Sequence, residues 1–270
     1  MREKMNRIEQ KMKHLQESGE KAVITYLPVV LQDPDRTAEI IRALDRGGCD
    51  AVELGIPFSD PVADGPVIAD AFCRASGNGI TFDKVSALTR GLRKEGVEIP
   101  VLFVLYYNTV LNCGIKAFVE ECAAAGADGV MIQDLPFEEQ GEIRQYLDET
   151  ENIILIQYIS PLSGERIPMI ASGARGFLSC MSFQQDGGET GEVSDRRRDF
   201  LTDAKSVSGL PVLINAGAGT LDSIKQMRYP ADGVITGAHL VRIMEESGYA
   251  PDAAEAYCRA AKNALNGRAG

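Results

Sequence analysis

Apolar and polar positions follow two periods along the chain, one typical of helices and the other of buried strands. Residues 5–18 place Met5, Ile8, Met12 and Leu15 three or four positions apart, which predicts an amphipathic N-terminal helix. Short apolar runs then begin every 20 to 50 residues, as expected for strands buried on both faces of a parallel sheet. Eight such runs occur, at residues 22–27, 51–54, 101–105, 129–132, 153–157, 176–180, 211–214 and 233–236.

Amphipathic stretches separate these runs and predict helices, for example at residues 82–92 and 115–125. A recurring pattern of small residues or glycine, then an aspartate, then an apolar run marks Asp50, Asp128 and Asp232. Glycine commonly ends helices, so this recurrence indicates a repeating unit in which a helix ends and a strand begins.

Eight strand–helix units without a linker predict a closed (β/α)8 barrel, the TIM barrel, with one extra N-terminal helix. The length of 270 residues suits such a barrel, so we expect residues 1–270 to form a single domain. A doubly wound open sheet is the main alternative, because periodicity does not separate the two folds. The strand count and the lack of a G-x-G-x-x-G motif after the first run favour the barrel.

Composition narrows the classes of function. The net charge of −11 argues against binding of nucleic acid or an anionic membrane surface, since both require a basic surface. The charged N-terminus and the shortness of the longest apolar run predict a cytoplasmic protein without a membrane span. Six cysteines without a C-x-x-C pair and only two histidines leave little material for a metal site.

Two carboxylates at the second predicted strand are the candidates for chemistry. Glu53 interrupts an apolar run, where an ionised side chain is costly unless it is paired or catalytic. Burial would raise its pKa, which suits a group that exchanges a proton near neutral pH. Asp64 follows in a loop stiffened by Pro57, Pro61 and Pro66. An ion pair between Glu53 and a base on a neighbouring strand is the structural alternative.

Residues 53–65 read ELGIPFSDPVADG, and this stretch resembles the tryptophan synthase alpha chain family. The resemblance continues at residues 106–118, 133–139 and 233–238 and covers nearly the whole chain. It implies a lyase that cleaves indole-3-glycerol phosphate to indole and glyceraldehyde 3-phosphate by a retro-aldol reaction. Glu53 would exchange the protons and Asp64 would accept the indole N–H bond. The resemblance implies no cofactor in this chain and pyridoxal phosphate in a β subunit, with two chains of each kind in the assembly.

The resemblance also implies further site residues. Substrate contacts are expected from Tyr106, Thr190, Gly191, Gly217, Gly237 and Ala238. Contacts with the β subunit are expected from Pro57, Asp60, Asp134 and Pro136.

The sequence departs from the family pattern at the phosphate end. The usual Gly-Phe-Gly-Ile-Ser is replaced at residues 215–219, the usual Gly-Ser is Gly237-Ala238, and a usual tyrosine is Ser179. The lid segment after the sixth predicted strand is lengthened by three residues. Two alternatives therefore stay open: an interaction subunit that activates a β subunit but cleaves poorly, and a barrel lyase for a related substrate.

Overall fold

A computed structural model describes residues 5–29, 31, 33–150, 152–181, 195–216, 219–229 and 231–268, without the side chains of residues 195–197. Helix α1 (Arg7–Ser18) begins with a reciprocal cap, in which the Asn6 side chain accepts from the Glu9 N–H group and the Glu9 carboxylate accepts from the Asn6 N–H group. Gly19 ends the helix at a φ of 70°. The predicted N-terminal helix is confirmed, and Ile8, Met12 and Leu15 are buried as its periodicity indicates.

The strands are parallel and the helices alternate with them. Over the described residues the strand segments are β1 (Ala22–Pro28), β2 (Ala51–Gly55), β3 (Val101–Leu105), β4 (Gly129–Ile132), β5 (Ile154–Leu155), β6 (Gln157–Ile159), β7 (Leu178–Cys180), β8 (Val212–Asn215) and β9 (Gly233–Thr236). The helices after α1 are α2 (Pro34–Arg46), α3 (Pro66–Gly77), α4 (Phe82–Lys94), α5 (Tyr107–Cys113), α6 (Ile115–Ala125), α7 (Gly141–Thr150), α8 (Ile167–Ser172), α9 (Asp195–Ser208), α10 (Leu221–Gln226), α11 (Ala238–Glu246) and α12 (Pro251–Asn266).

The sheet closes on itself through the fifth predicted strand. The strand order is β5-β4-β3-β2-β1-β9-β8-β7-β6, and Ile156 alone separates the two edge segments β5 and β6. The N–H group of Ile156 still bonds to the Val130 carbonyl of β4 at 2.9 Å. The run predicted at residues 153–157 is therefore two segments that extend to Ile159, one paired with β4 and the other with β7. This closure confirms the TIM barrel and excludes the doubly wound sheet.

Helix α1 covers the amino-terminal end of the barrel. Ile8 is fully buried there against two glycines, one at the start of β4 and one just before β7. A Cβ atom added at Gly129 would lie 3.0 Å from Cδ1 of Ile8, and one added at Gly176 would lie 3.0 Å from Cγ2 of Ile8. The Asn6 side chain donates to the carbonyls of Asp128 and Asn152 at 2.8 and 3.2 Å. Glycine at these two positions therefore allows the helix to dock closely.

The aspartate repeat seen in the sequence is a structural repeat at this same end. Asp50, Asp128 and Asp232 each precede a strand and accept a bond from a backbone N–H group of the preceding strand, at 2.8, 2.9 and 2.9 Å. Each also pairs with a cation: Lys262 for Asp50 at 2.5 Å, Arg93 for Asp128 at 2.7 Å and Lys205 for Asp232 at 2.6 Å. The predicted repeating unit thus fixes one strand to the next.

None of the helices that the structure describes is both long and apolar enough to cross a membrane. Among the same described residues, no cluster of histidine, cysteine or carboxylate side chains has the arrangement of a metal site.

Candidate active site at the carboxyl ends of the strands

Glu53 points into the barrel from the middle of β2. Its register partners are Tyr26 on β1 and Leu102 on β3, and parallel neighbours in register point to the same side of a sheet. The residue is 2% exposed, and its Oε1 atom has no hydrogen-bond partner among the described residues. A buried polar atom without a partner is rare and costly in a folded protein. This atom is therefore a candidate for contact with a reacting molecule.

Burial raises the pKa of Glu53 to about 8. No described lysine or arginine forms an ion pair with it, so the expected structural alternative, a base on a neighbouring strand, is wrong. The side chain is consequently protonated at neutral pH and can donate a proton at small energetic cost.

Asp64 lies in the loop after β2 and is held by two side chains from the next strands. Tyr106 donates its hydroxyl proton to Oδ2 of Asp64 at 2.7 Å, and Gln133 donates its amide N–H to the same atom at 3.2 Å. Burial raises the pKa of Asp64, whereas these two bonds lower it because they favour the ionised form. The Tyr106 hydroxyl in turn accepts the Ala63 N–H group at 3.0 Å, so the loop is fixed at two adjacent residues.

Aromatic rings surround the two acids. Phe58 stacks on Tyr106 with ring centroids 4.8 Å apart, which orients the hydroxyl toward Asp64. Tyr26 is 8% exposed, and burial together with the charges of Asp64 and Glu53 raises its pKa well above the ordinary value. Its hydroxyl therefore stays protonated beside the acids.

Sequence reasoning missed Tyr26 and Gln133 as site residues. The position of Tyr26 near the carboxyl end of the first predicted strand was a usable signal, since strand ends carry the chemistry in this fold. Gln133 directly follows β4 and offered the same signal.

Gly237 and Ala238 directly follow β9 and lie at the start of α11. Gly237 is the N-terminal cap of α11, and Ala238 is its first residue. A Cβ atom added at Gly237 would lie 3.1 Å from Cβ and Cδ1 of Tyr26, so the close approach of β1 favours glycine here. The first N–H groups of a helix have no acceptor within it and can bind an anion. Thr190, Gly191 and Gly217, also expected at this end, lie outside the described residues.

The four residues expected at a partner interface lie in the loops after β2 and β4. Asp60 and Asp134 are exposed, and Pro57 and Pro136 are half-buried. Asp134 accepts the N–H group of Tyr107 at 2.7 Å, which joins the loop after β4 to the one after β3. Because loops that follow parallel strands share one end of a barrel, all four lie at the same end as Glu53 and Asp64.

Comparison with known proteins gives one consistent result. The family model described as "Tryptophan synthase alpha chain" matches residues 12–267. The tryptophan synthase alpha chain of Lachnospira eligens is 42% identical over 97% of this chain and 100% of its own length. That of Geobacillus kaustophilus is 40% identical over 79% of each chain.

Solved structures agree with the sequence relatives. The crystal structure of tryptophan synthase subunit alpha from Legionella pneumophila matches with a TM-score of 0.88 and 30% identity, over 98% of this chain and 100% of that chain. A chain of tryptophan synthase from M. tuberculosis, in its aminoacrylate-bound form, matches with a TM-score of 0.84 and 27% identity, over 97% and 100% of the two chains.

The residues matched by the family model include both acids and the loops around them. Alpha chains of this kind need no cofactor, and pyridoxal phosphate lies in the beta subunit. The chain therefore belongs to the tryptophan synthase alpha chain family, the lyases that cleave indole-3-glycerol phosphate in tryptophan biosynthesis.

Proposed function

We propose that Glu53 and Asp64 carry out the cleavage of indole-3-glycerol phosphate in this chain, with Glu53 as proton donor and acceptor. The observation that carries this proposal is the Oε1 atom of Glu53, which is buried without a described partner on a side chain whose pKa is raised to about 8. A general acid works best when its pKa lies near the operating pH.

The reaction requires two proton transfers, and one carboxyl group suffices for both. Glu53 first protonates C3 of the indole ring, which leaves a positive charge spread toward the ring nitrogen. The resulting Glu53 carboxylate then accepts the proton of the hydroxyl on the carbon bonded to C3. The carbon–carbon bond breaks, its electron pair returns to the ring, and an aldehyde and indole leave. Glu53 is protonated again at the end, so no external acid is consumed.

Asp64 supplies the fixed negative charge in this scheme. Its carboxylate accepts the indole N–H bond and stabilises the positive charge that develops when C3 is protonated. Tyr106 and Gln133 both donate to one of its oxygens, which favours its ionised form and leaves the other oxygen for the substrate. The sequence led us to expect Tyr106 as a substrate contact. We propose that it also positions Asp64.

The phosphate is proposed to bind at Gly237 and Ala238, where the start of α11 offers backbone N–H groups. Gly217, Thr190 and Gly191 complete the proposed substrate contacts and lie outside the described residues.

Relatives of this chain have been crystallised as tryptophan synthase complexes with the beta subunit. We propose the same partner here, in a heterotetramer, with docking through Pro57, Asp60, Asp134 and Pro136. Their common position at the carboxyl ends of the strands supports this, because indole is released at that end.

We further propose that residues 1–270 act as a single cytoplasmic domain. One continuous cluster of buried apolar side chains extends from Ile8 to Leu265. None of the six cysteines, all of them within the described residues, forms a disulfide bond, as is usual in a reducing compartment.

Indole release tests the assignment of the acids. Glu53→Gln is expected to lower kcat about 10³-fold, the range for loss of a general acid–base group, while substrate affinity measured by calorimetry is retained. Glu120→Gln, an exposed glutamate of α6, is the matched control and should leave kcat unchanged. Turnover near wild type in Glu53→Gln would refute the proposal.

The same assay with and without a β subunit separates the alternatives left open by the sequence. A lyase releases indole from indole-3-glycerol phosphate in both conditions and faster in the complex. Activation of the β subunit without indole release would instead identify a docking subunit. The intact pair of Glu53 and Asp64, with its hydrogen-bonded support, favours the lyase.

A further inference from the structure

The fifth barrel strand carries a tyrosine, Tyr158, on its segment β6. Tyr158 is the register partner of Ser179 on β7, and Ser179 is the partner of Leu213 on β8. Following the register onward through Gly233 on β9 leads to Ala22 on β1. Ala22 lies four residues before Tyr26, the partner of Glu53, and therefore on the same face of β1. Since alternate residues of a strand share a face, the side chains of Tyr158 and Ser179 point into the barrel as those of Tyr26 and Glu53 do.

Tyr158 lies at the open end of this strand. It is half-buried, whereas its neighbours Gln157 and Ile159 are 1% and 0% exposed. Burial raises the pKa of the Tyr158 hydroxyl; the charges of Asp134 and Glu138 add to this effect, and that of Arg166 opposes it. Both acids follow β4 at the carboxyl ends of the strands, so the hydroxyl lies at the mouth and not in the depth of the barrel.

The side of the mouth that Tyr158 occupies is the side of Asp64. Gln133, which donates to Asp64, directly follows β4, and the fifth barrel strand pairs with β4 through β5. An indole ring whose N–H group bonds to Asp64 would extend along this side of the mouth. Aromatic rings attract one another in stacked or edge-to-face geometries beyond the effect of buried area.

Ser179 leaves room for the ring of Tyr158. It is 1% exposed and small, and neighbouring strands lie only about 4.8 Å apart, so two large side chains at this register would compete for the same space. The usual family tyrosine at position 179 is absent, and an aromatic residue stands on the adjacent strand instead.

We infer that Tyr158 contacts the substrate and forms the aromatic side of the indole pocket, from the fifth barrel strand instead of the sixth. It determines affinity for the planar aromatic part of the substrate and takes no part in proton transfer. This inference rests on the proposed function, because it places the indole ring beside Asp64.

Four variants test this inference through the steady-state kinetics of indole release. Tyr158→Leu is expected to raise KM for indole-3-glycerol phosphate about tenfold, as loss of one aromatic contact predicts, with kcat changed less than about threefold. Tyr158→Phe keeps the ring and should stay near wild type. Ser179→Tyr alone places two rings in one space and raises KM. The double variant Tyr158→Leu/Ser179→Tyr restores the ring from the other strand and brings KM back to within about threefold of wild type.

Tyr146→Leu is the matched control, because Tyr146 is a half-buried tyrosine of α7 in the outer helical layer. It should lower the melting temperature without changing KM. A wild-type KM in Tyr158→Leu overturns the inference. A double variant whose increase in KM equals the product of the two single increases also overturns it. If Ser179→Tyr does not fold, the contrast of Tyr158→Leu with Tyr158→Phe and Tyr146→Leu still decides.

Glu53→Gln measured in parallel keeps the two proposals separate. Normal turnover of Glu53→Gln contradicts the catalytic assignment of Glu53. The role of Tyr158 is then decided by the KM values of its own variants. A wild-type KM in Tyr158→Leu alongside an inactive Glu53→Gln contradicts only the role of Tyr158.

Discussion

The two ends of the barrel treat buried carboxylates in opposite ways. Asp50 and Glu53 are three residues apart in sequence and are 4% and 2% exposed. Asp50, at the amino-terminal end, bonds to the Val23 N–H group and to the Lys262 ammonium. Oε1 of Glu53, toward the carboxyl end, has no partner among the described residues. Burial alone therefore does not identify a functional acid, whereas burial without a partner does.

The two ends of the barrel also differ in how their buried acids affect stability. Paired aspartates join successive strands at one end, and an unpaired acid weakens the fold at the other. Functional sites commonly break the rules that the rest of a protein obeys. The experiments below test this division between the two ends.

Lys262→Met should produce the largest effect on stability. It leaves Asp50 buried beside an apolar side chain, and removal of one partner from a buried ion pair typically costs about 3–5 kcal/mol in the free energy of unfolding. Urea denaturation measures this loss. The double variant Asp50→Asn/Lys262→Met removes the unpaired buried charge and should recover part of the lost free energy of unfolding. A loss in Lys262→Met of no more than a few tenths of a kcal/mol would mean that the pairing is not structural.

The pH dependence of stability should show the opposite behaviour of Glu53. Its pKa is raised to about 8 in the folded protein, against about 4.3 for a glutamate in an unfolded chain. The folded state holds the proton more tightly, so this contribution to stability is fully present below about pH 4.3 and is lost as the pH rises to about 8. Between about pH 5.5 and pH 8, wild type should lose about 3 kcal/mol more than Glu53→Gln, since the limiting slope is about 1.4 kcal/mol per unit.

Parallel urea titrations of both proteins at several pH values measure this difference, because all other groups titrate in both. Identical pH profiles would show that Glu53 has an ordinary pKa. Cleavage should fall above about pH 8 for the same reason, since the carboxylate form cannot protonate C3.

Tyr106→Phe should lower kcat about tenfold, which corresponds to one hydrogen bond to a charged group. The ring and its stacking on Phe58 are retained, so the change isolates the hydroxyl that donates to Asp64. The pKa of Asp64 should rise, because the bond that favours its ionised form is gone, and the acid limb of the pH–rate profile should move upward. Tyr107→Phe serves as the control, and an unchanged kcat in Tyr106→Phe would exclude a positioning role.

Asp232→Asn should have the smallest effect, a loss of less than about 1 kcal/mol. Its ion pair with Lys205 has the same form as the Asp50 pair, but the two side chains are 27% and 37% exposed. Water screens such a pair, and asparagine can still accept the Val212 N–H group. Thermal unfolding of Asp232→Asn and Lys262→Met under the same conditions compares the two losses of stability. A loss equal to that of Lys262→Met would show that the strand contact, and not the buried charge, dominates at both positions.

Much of the fold follows from sequence periodicity because local rules decide it. The apolar runs, the glycine-ended helices and the repeated aspartate each reflect contacts within one strand–helix unit. The division of residues 153–159 at Ile156 could not be predicted, because it depends on how the barrel closes between β4 and β7. The cations that pair with the aspartates could not be predicted either, because Lys262, for example, lies 212 residues from Asp50 in the sequence.

The residues of the candidate site likewise fall into those that the local sequence predicts and those that only the assembled barrel reveals. An acid in an apolar run made Glu53 visible, since such a residue is rare whatever surrounds it. Tyr26 and Gln133 reach the acids only once the strands lie side by side, and in the sequence only their place near the ends of predicted strands indicated a role. The missing ion pair of Glu53 is likewise a property of the assembled barrel.

The docking of α1 has a consequence for the order of events during synthesis. The helix is near the start of the chain, yet Asn6 bonds to carbonyls 122 and 146 residues later, and Ile8 fits between Gly129 and Gly176. Glu9 pairs with Arg175 at 2.9 Å. The first of these contacts can form only when about half of the chain has left the ribosome, and the contacts with Gly176 and Arg175 only after about two thirds of it. The first helix to emerge therefore stays exposed until the middle of the barrel has been made.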